Sequence, residues 1–223
     1  MNVITLASRK GGAGKSTLTA HLAACADASG YRCLVIDADP QGSVTLWHSL
    51  RRHGGPALQS ATRGIERAVA YAAVEGYEWV FIDTAPTTWV VVQEAIRVAT
   101  LVLIPARPGI FDLDSVRETI AAARERGKPF AVVLNAAPAR REERDAPALA
   151  QARAALDRDG IPVWSGQISQ RAAFALTLAE GASAWEVEPE SAAAAEIGRL
   201  WSAVVRSVEA VNAAHAASGE QAA

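Results

Sequence analysis

Ten residues restrict the possible folds of this chain more than any others. Ser8-Arg9-Lys10-Gly11-Gly12-Ala13-Gly14-Lys15-Ser16-Thr17 follows a short apolar run, Val3–Leu6, and opens an Ala-rich stretch with helical composition. Glycines at this spacing let the backbone curl until successive N–H groups point inward. The helix that follows adds its positive N-terminal end, and together the two cradle a polyphosphate. On this reading Lys15 reaches the β- and γ-phosphates and the Ser16 hydroxyl ligates Mg2+. The plainer alternative is a Gly-rich turn with incidental lysines. Lysine scarcity speaks against it: of 22 basic residues only Lys10, Lys15 and Lys128 are lysine, and two of them lie in this one loop.

The rest of the chain repeats the strand-then-helix order that such a loop requires. Val3–Leu6, Cys33–Ile36, Val80–Ile82, Leu101–Ile104 and Ala131–Leu134 are apolar in succession rather than alternating, as in parallel strands covered on both faces. A weaker strand is expected at Ile161–Trp164. Between the runs, helical stretches end at Gly30, Gly76, Gly127 and Gly160, where a left-handed residue closes a helix. Right-handed crossovers then make an α/β, doubly wound, mostly parallel sheet with helices on both faces. One unit is expected over residues 1–215, with a last helix from Glu190 to Ala214 and a frayed tail over 216–223.

Composition narrows the chemistry. With 223 residues, 50% hydrophobic and 21% charged, the chain is not of the disordered class. A net charge of −2 gives no global positive field, so any nucleic-acid or membrane contact must come from a local patch. Cys25 and Cys33 are too few for a disulfide framework or a zinc site and read as small buried hydrophobes. The N-terminus lacks the pattern of a signal peptide, and no apolar run approaches 18 residues, so a cytoplasmic chain without integral membrane association is expected.

Two further strand ends carry acids. The second strand leads into Asp37-Ala38-Asp39-Pro40-Gln41-Gly42-Ser43, and carboxylates at the carboxyl end of a parallel strand lie beside the ligand. An Asp-Pro turn cap is the alternative. Trp79-Val80-Phe81-Ile82 delivers Asp83-Thr84-Ala85-Pro86, the arrangement that holds Mg2+ through water on Asp83.

The loop departs from the common G-x-x-x-x-G-K-[ST] pattern, because Arg9 stands at its first position, leaving Lys-Gly-Gly-x-Gly-Lys-Ser. That variant resembles the deviant Walker A loop of the ParA/MinD class of P-loop ATPases. The resemblance implies several roles. Lys10 reaches across a nucleotide-sandwich homodimer to the partner's phosphates, and Gly11, Gly12, Ala13, Gly14, Lys15, Ser16 and Thr17 bind the nucleotide. Asp39 orients the attacking water, as the second acid of the D-x-D-P-Q box, so that Lys10, Lys15 and Asp39 form the catalytic set. Ser16 and Asp83 serve the metal. Pro108, in Ile104-Pro105-Ala106-Arg107-Pro108, and Asn135, at a strand end, are the candidates beside the base.

Ile168-Ser169-Gln170-Arg171, Gly181 and Glu186 are similar to the C-terminal segment of the short ParA-type proteins. These have no N-terminal helix-turn-helix, and here the loop begins at residue 9. The resemblance implies ATP and Mg2+ as cofactors, non-specific double-stranded DNA binding, and a ParB-like or cargo-adaptor protein that stimulates hydrolysis. Residence would be on the bacterial nucleoid. Arg140, Arg141, Arg144 and Arg171 are the candidate DNA contacts. The guanine-reading [NT]-K-x-D motif is absent, which favours ATP. An iron–sulfur protein fits poorly, since both cysteines fall inside a helix and a strand. A tyrosine kinase fits poorly too, with no tyrosine beyond Tyr77. The stripe Leu200, Val204, Val208 and Val211 invites comparison with a Min-type membrane helix but reads better as core packing. A small-molecule enzyme of the same superfamily is the alternative, with Lys10 and the Asp-Pro-Gln box against it.

Overall fold

The computed structural model describes residues 1–220 apart from 53, 87 and 141–143. Strands β1 (Asn2–Leu6), β2 (Cys33–Ala38), β3 (Ala57–Ser60), β4 (Trp79–Thr84), β5 (Leu101–Ala106) and β6 (Phe130–Leu134) form one sheet in the order β3-β2-β4-β1-β5-β6. Every neighbouring pair is parallel. The helices are α1 (Lys15–Ala28), α2 (Ser43–Leu50), α3 (Ile65–Val74), α4 (Trp89–Val98), α5 (Ile110–Glu125), α6 (Pro147–Arg158), α7 (Ala172–Ala179), α8 (Ala184–Val187) and α9 (Ala192–Glu220).

The continuous apolar runs are buried on both faces, as parallel strands between helix layers must be. Ile4 and Leu6 of β1 join Phe81, Trp79 and Val35 on the face covered by α1, α2, α7 and α9. Val3, Val80, Ile82 and Ile36 face the opposite way, against α3 and α4. Val102, Ile104 and Val132 meet α4, α5 and α6 on that same side. Trp201 of α9 packs edge-on against Trp79 at 4.6 Å between ring centroids, which locks the last helix onto the centre of the sheet. The stripe Leu200, Val204 and Val208 is buried in that contact.

Three boundaries differ from the sequence expectation. Strand β3 has no β-branched residue and is half-buried; it forms because the edge of β2 supplies its hydrogen-bonding partners, Leu34 to Asp37. Ile161–Trp164 does not become a strand. It makes a single bridge, Val132 to Val163, because Pro162 has no N–H to extend the ladder. Helix α9 starts at Ala192 and runs through Glu220, past the expected start of a frayed tail, over an alanine-rich segment that favours helix. The four helix-closing glycines, at 30, 76, 127 and 160, all have positive φ as expected.

The register of the central strands positions the site. Leu6 stands beside Asp83, and Asp83 beside Asp37, in one row across β1, β4 and β2. The chain therefore leaves three adjacent strands at the same level, on the carboxyl side of the sheet.

Candidate functional site

From β1 the chain turns through Ala7–Gly14 into α1. Gly14 (φ 97°) occupies the N-cap with no side-chain cap, so the first N–H groups of α1 stay open toward the loop. A side chain at Gly14 would also collide with the Asn135 amide. The loop's two lysines point to different places. Lys15 is buried and its Nζ donates to the Lys10 carbonyl at 3.3 Å, inside the curl. Its pKa is lowered by burial, against the opposing pull of the Asp83 and Asp39 charges. Lys10 turns outward, with its Nζ 3.0 Å from Asp112 Oδ2 at the start of α5. Arg9 is ion-paired to Glu118 of the same helix and lies over the Trp89 ring.

Asp83 is fully buried at the end of β4. The Thr19 hydroxyl, which donates to the Lys15 carbonyl, lies 3.4 Å from Asp83 Oδ1, and Oδ2 has no hydrogen-bond partner. Burial pushes the carboxyl up to about 7; the Ser16 hydroxyl and Lys15 oppose that rise, while Asp37 and Asp39 add to it. A buried carboxylate oxygen without a donor carries a desolvation cost that a cation beside it removes. That geometry fits Mg2+, with the Ser16 hydroxyl within reach of the same carboxylate. No cluster of three or more His, Cys, Asp or Glu forms a cage among the described residues. Mg2+ does not need one, since it keeps waters and takes phosphate oxygens beside one or two protein ligands.

The two acids of the second box have different surroundings. Asp37 is buried and anchored: Oδ2 accepts from the Thr45 hydroxyl at 2.6 Å and the Thr45 N–H at 3.0 Å, and Oδ1 from the Asp39 N–H. Among the described residues the Asp39 carboxylate accepts the nearby Gln41 N–H, at 2.9 Å, and it lines the cleft. The cleft, about 590 Å³, runs from the phosphate loop past Asp39 and Pro86 to an apolar half between α2 and α7, lined by Val44, Trp47, Leu50 and Leu178. Gly11, Gly12, Gly14, Lys15, Ser16 and Thr17 line it directly, and Ala13 is buried behind them.

The remaining expected residues fall elsewhere. Asn135 lies behind the loop, its amide donating to the Ala13 carbonyl at 2.7 Å. Pro108 is half-buried after β5 and does not line the cleft. Arg140 pairs with Asp145 at 2.8 Å, sharing that carboxylate with Arg153. Arg171 gives two hydrogen bonds to the buried Glu196 of α9, at 2.8 and 3.2 Å. Arg144 is exposed, and Arg141 lies outside the described residues. Both cysteines are buried thiols; burial pushes Cys25 up to about 12 and raises Cys33 further. The sequence reading passed over Asp112 and Arg107. A side chain at Gly12 would stand 3.8 Å from Arg107 Nη2, so this guanidinium sits at the loop's rim. Its place directly after an apolar strand was the signal available.

Comparison with known proteins identifies the family. A model of the family described as the CobQ/CobB/MinD/ParA nucleotide binding domain matches residues 4–184. The chain is 29% identical to a maintenance of carboxysome distribution protein A of Gloeobacter kilaueensis, covering 87% of this chain and 88% of that one. It is 35% identical to protein ParA of Rhizobium radiobacter over half of each chain (50% and 51%). Among solved structures, MinD in the Aquifex aeolicus MinC:MinD complex superposes with a TM-score of 0.73 at 18% identity, over 92% of this chain and 96% of that one. The Pyrococcus horikoshii MinD complexed with Mg-ADP gives 0.70 at 19% identity, over 91% and 95%.

Proposed function

Because the chain belongs to the CobQ/CobB/MinD/ParA nucleotide-binding family, as a P-loop ATPase of the ParA/MinD type that uses ATP and Mg2+, we propose that it works as an ATP-driven dimerisation switch. ATP joins two copies, the dimer binds double-stranded DNA without sequence preference, and slow hydrolysis releases it. The motor positions DNA or a cellular cargo on the bacterial nucleoid, and a ParB-like or cargo-adaptor protein stimulates it.

One observation carries this reading. The two lysines of a single loop are turned to opposite sides, Lys15 into its own phosphate cradle and Lys10 out of it, toward the face that a second copy would meet. Lys15 and the loop N–H groups bind the β- and γ-phosphates, while Ser16 and Asp83 hold the metal. Asp39, the acid that lines the cleft, orients the water. Bound Mg2+ supplies neutralisation of phosphate charge. The protein's part is positioning, with little covalent chemistry of its own.

The apolar half of the cleft favours one competing reading, an enzyme that seats a small organic acceptor there. A single experiment separates the two. Purified protein with ATP and Mg2+ should turn over ATP without any acceptor. It should also sediment as a dimer with a non-hydrolysable ATP analogue and retard random-sequence duplex at low salt. Turnover only with an added acceptor, and no dimer, would replace the switch by the metabolic enzyme. The membrane-tethered alternative has less support, since the apolar stripe of α9 is buried against the sheet and no described helix is long and apolar enough to cross a membrane.

A further inference from the structure

A chain of net charge −2 that binds DNA must present guanidinium groups not already neutralised by its own acids. Many of its arginines fail that condition. Arg9, Arg51, Arg97, Arg140, Arg153 and Arg171 each hold a carboxylate. Arg63 and Arg67 are both exposed, and among the described residues neither has an ion pair or a hydrogen bond. Arg52, Arg107, Arg144, Arg199 and Arg206 also have no such partner among the described residues, but Arg63 and Arg67 are the two that line one cavity together.

Their isolation is built into the surroundings. Glu66, between them in sequence, is drawn aside by Arg97 at 2.6 Å. Glu94 of α4 is turned inward, its Oε1 accepting the Ile65 and Glu66 N–H groups at the start of α3. The two carboxylates best placed to neutralise the pair are thus engaged elsewhere. Arg63 precedes α3 and Arg67 lies in its first turn. Both line a cavity of about 310 Å³ at the carboxyl end of β3, with Gln59, Ser60, Thr62 and Tyr71.

We propose that Arg63 and Arg67 are a phosphate-contacting site for the DNA backbone, distinct from the arginines of the C-terminal half. The inference rests on the DNA-binding switch proposed above. Both side chains border one cavity, and two flexible guanidinium groups on the same wall can grip phosphates of one strand. The site also explains how nucleotide could control DNA affinity. Ser60, Thr62 and Gly64 border a second cleft whose other wall is Asp37, Asp39 and Pro40, and Glu94 lines it too. A shift of the Asp-Pro-Gln box on ATP binding would move the wall that Thr62 and Gly64 share with Arg63.

The test uses full-length protein with Mg2+, a non-hydrolysable ATP analogue and a fluorescein-labelled random-sequence duplex, titrated by anisotropy across a salt series. The double variant Arg63→Ala/Arg67→Ala should lose at least about 10-fold in affinity at low salt and flatten the log K against log salt slope by about 2 per subunit. Its DNA-free ATPase rate and its nucleotide-dependent dimerisation should match wild type. Arg63→Lys/Arg67→Lys should keep most of the slope. Wild-type affinity and slope in the alanine variant would overturn the site while leaving the switch intact. Failure of wild type itself to bind duplex, with dimerisation normal, would remove both the site and the DNA-binding part of the switch. Displacement of the duplex by millimolar inorganic phosphate at constant ionic strength would reassign the cavity to a free anion and overturn the DNA assignment.

Discussion

Lys10 Nζ stands 3.0 Å from Asp112 Oδ2, across 102 residues of sequence and away from the cradle that its own backbone helps to build. The ammonium is more than a third exposed and the carboxylate less so, which makes the pair a weak tether of well under about 1 kcal/mol. A weak tether suits the proposed role, in which the lysine leaves it to reach a second subunit. Lys10→Ala should bind ATP with near-normal affinity, yet stay monomeric in sedimentation with ATP analogue. Asp112→Asn should shift the monomer–dimer midpoint to several-fold lower protein concentration. An unchanged midpoint in Asp112→Asn would show that the tether does not restrain Lys10.

Lys15 faces the other way and should behave differently. Its ammonium is buried within the loop, and Lys15→Ala removes the main positive charge from the cradle. Calorimetry should detect no ATP binding. An affinity close to wild type would contradict the placing of the phosphates in this loop.

Asp37 and Asp39 lie two residues apart and should separate cleanly. Asp39→Ala should keep ATP, accumulate as dimer by light scattering, and lose turnover by about 10²-fold or more. Asp37→Ala instead leaves the Thr45 hydroxyl and two backbone N–H groups unsatisfied, and should lower the unfolding free energy by about 1–3 kcal/mol. Equal stability losses in the two variants would refute the division.

His21 ties α1 to the segment around α7 and α8: Nδ1 accepts the Ala184 N–H at 3.2 Å, so Nε2 carries the proton and donates to the Phe174 carbonyl at 3.3 Å. Burial holds its pKa down, from 6.5 to about 4, although the Phe174 carbonyl and the Glu186 charge pull it up. Above pH 6.5 both folded and unfolded chains carry a neutral ring. Below it the unfolded chain takes up a proton that the folded chain refuses, so this group costs stability as pH falls, by about 2 kcal/mol at pH 5. Asp83, pushed up to about 7, acts in the opposite sense over the same range. The quantity to measure is therefore the difference in unfolding free energy between wild type and His21→Gln, which should shrink by about that amount from pH 6.5 to pH 5. A pH-independent difference would mean that the ring is not held neutral.

Asn135 supports the loop from behind. Asn135→Ala frees the buried Ala13 carbonyl, and should cost about 1–2 kcal/mol of stability and weaken ATP binding. Preference for ATP over GTP should not change. A change in that preference would place the amide at the base.

The parts legible from sequence were those set by local pattern. The apolar runs of β1, β2, β4, β5 and β6 fix their own burial, and each chemical loop follows one of them directly. Strand β3 was hidden because Ala57–Ser60 is strand only by virtue of the edge it joins. Ile161–Trp164 looked like a strand because its apolar content carries no record of the missing N–H at Pro162. The arginine assignments suffered most. Charge is visible in sequence, but its neutralisation is not: Glu196 lies 25 residues from Arg171, and Glu94 lies 31 from Arg63. A long-range partner decides whether a guanidinium is available, and no spacing rule reports it.

The row formed by Leu6, Asp83 and Asp37 has a consequence for how the molecule reaches its native state. Side chains alternate across a strand, so a one-residue slip of β4 against β1 would turn Asp83 to the opposite face and carry this carboxylate away from the loop. A mispaired sheet would still be apolar on both sides, but it would have no nucleotide affinity. Ligand that binds only the native form stabilises only that form. Bound nucleotide therefore acts as a proofreader of strand pairing, rewarding the single alignment in which three strand ends meet at one height.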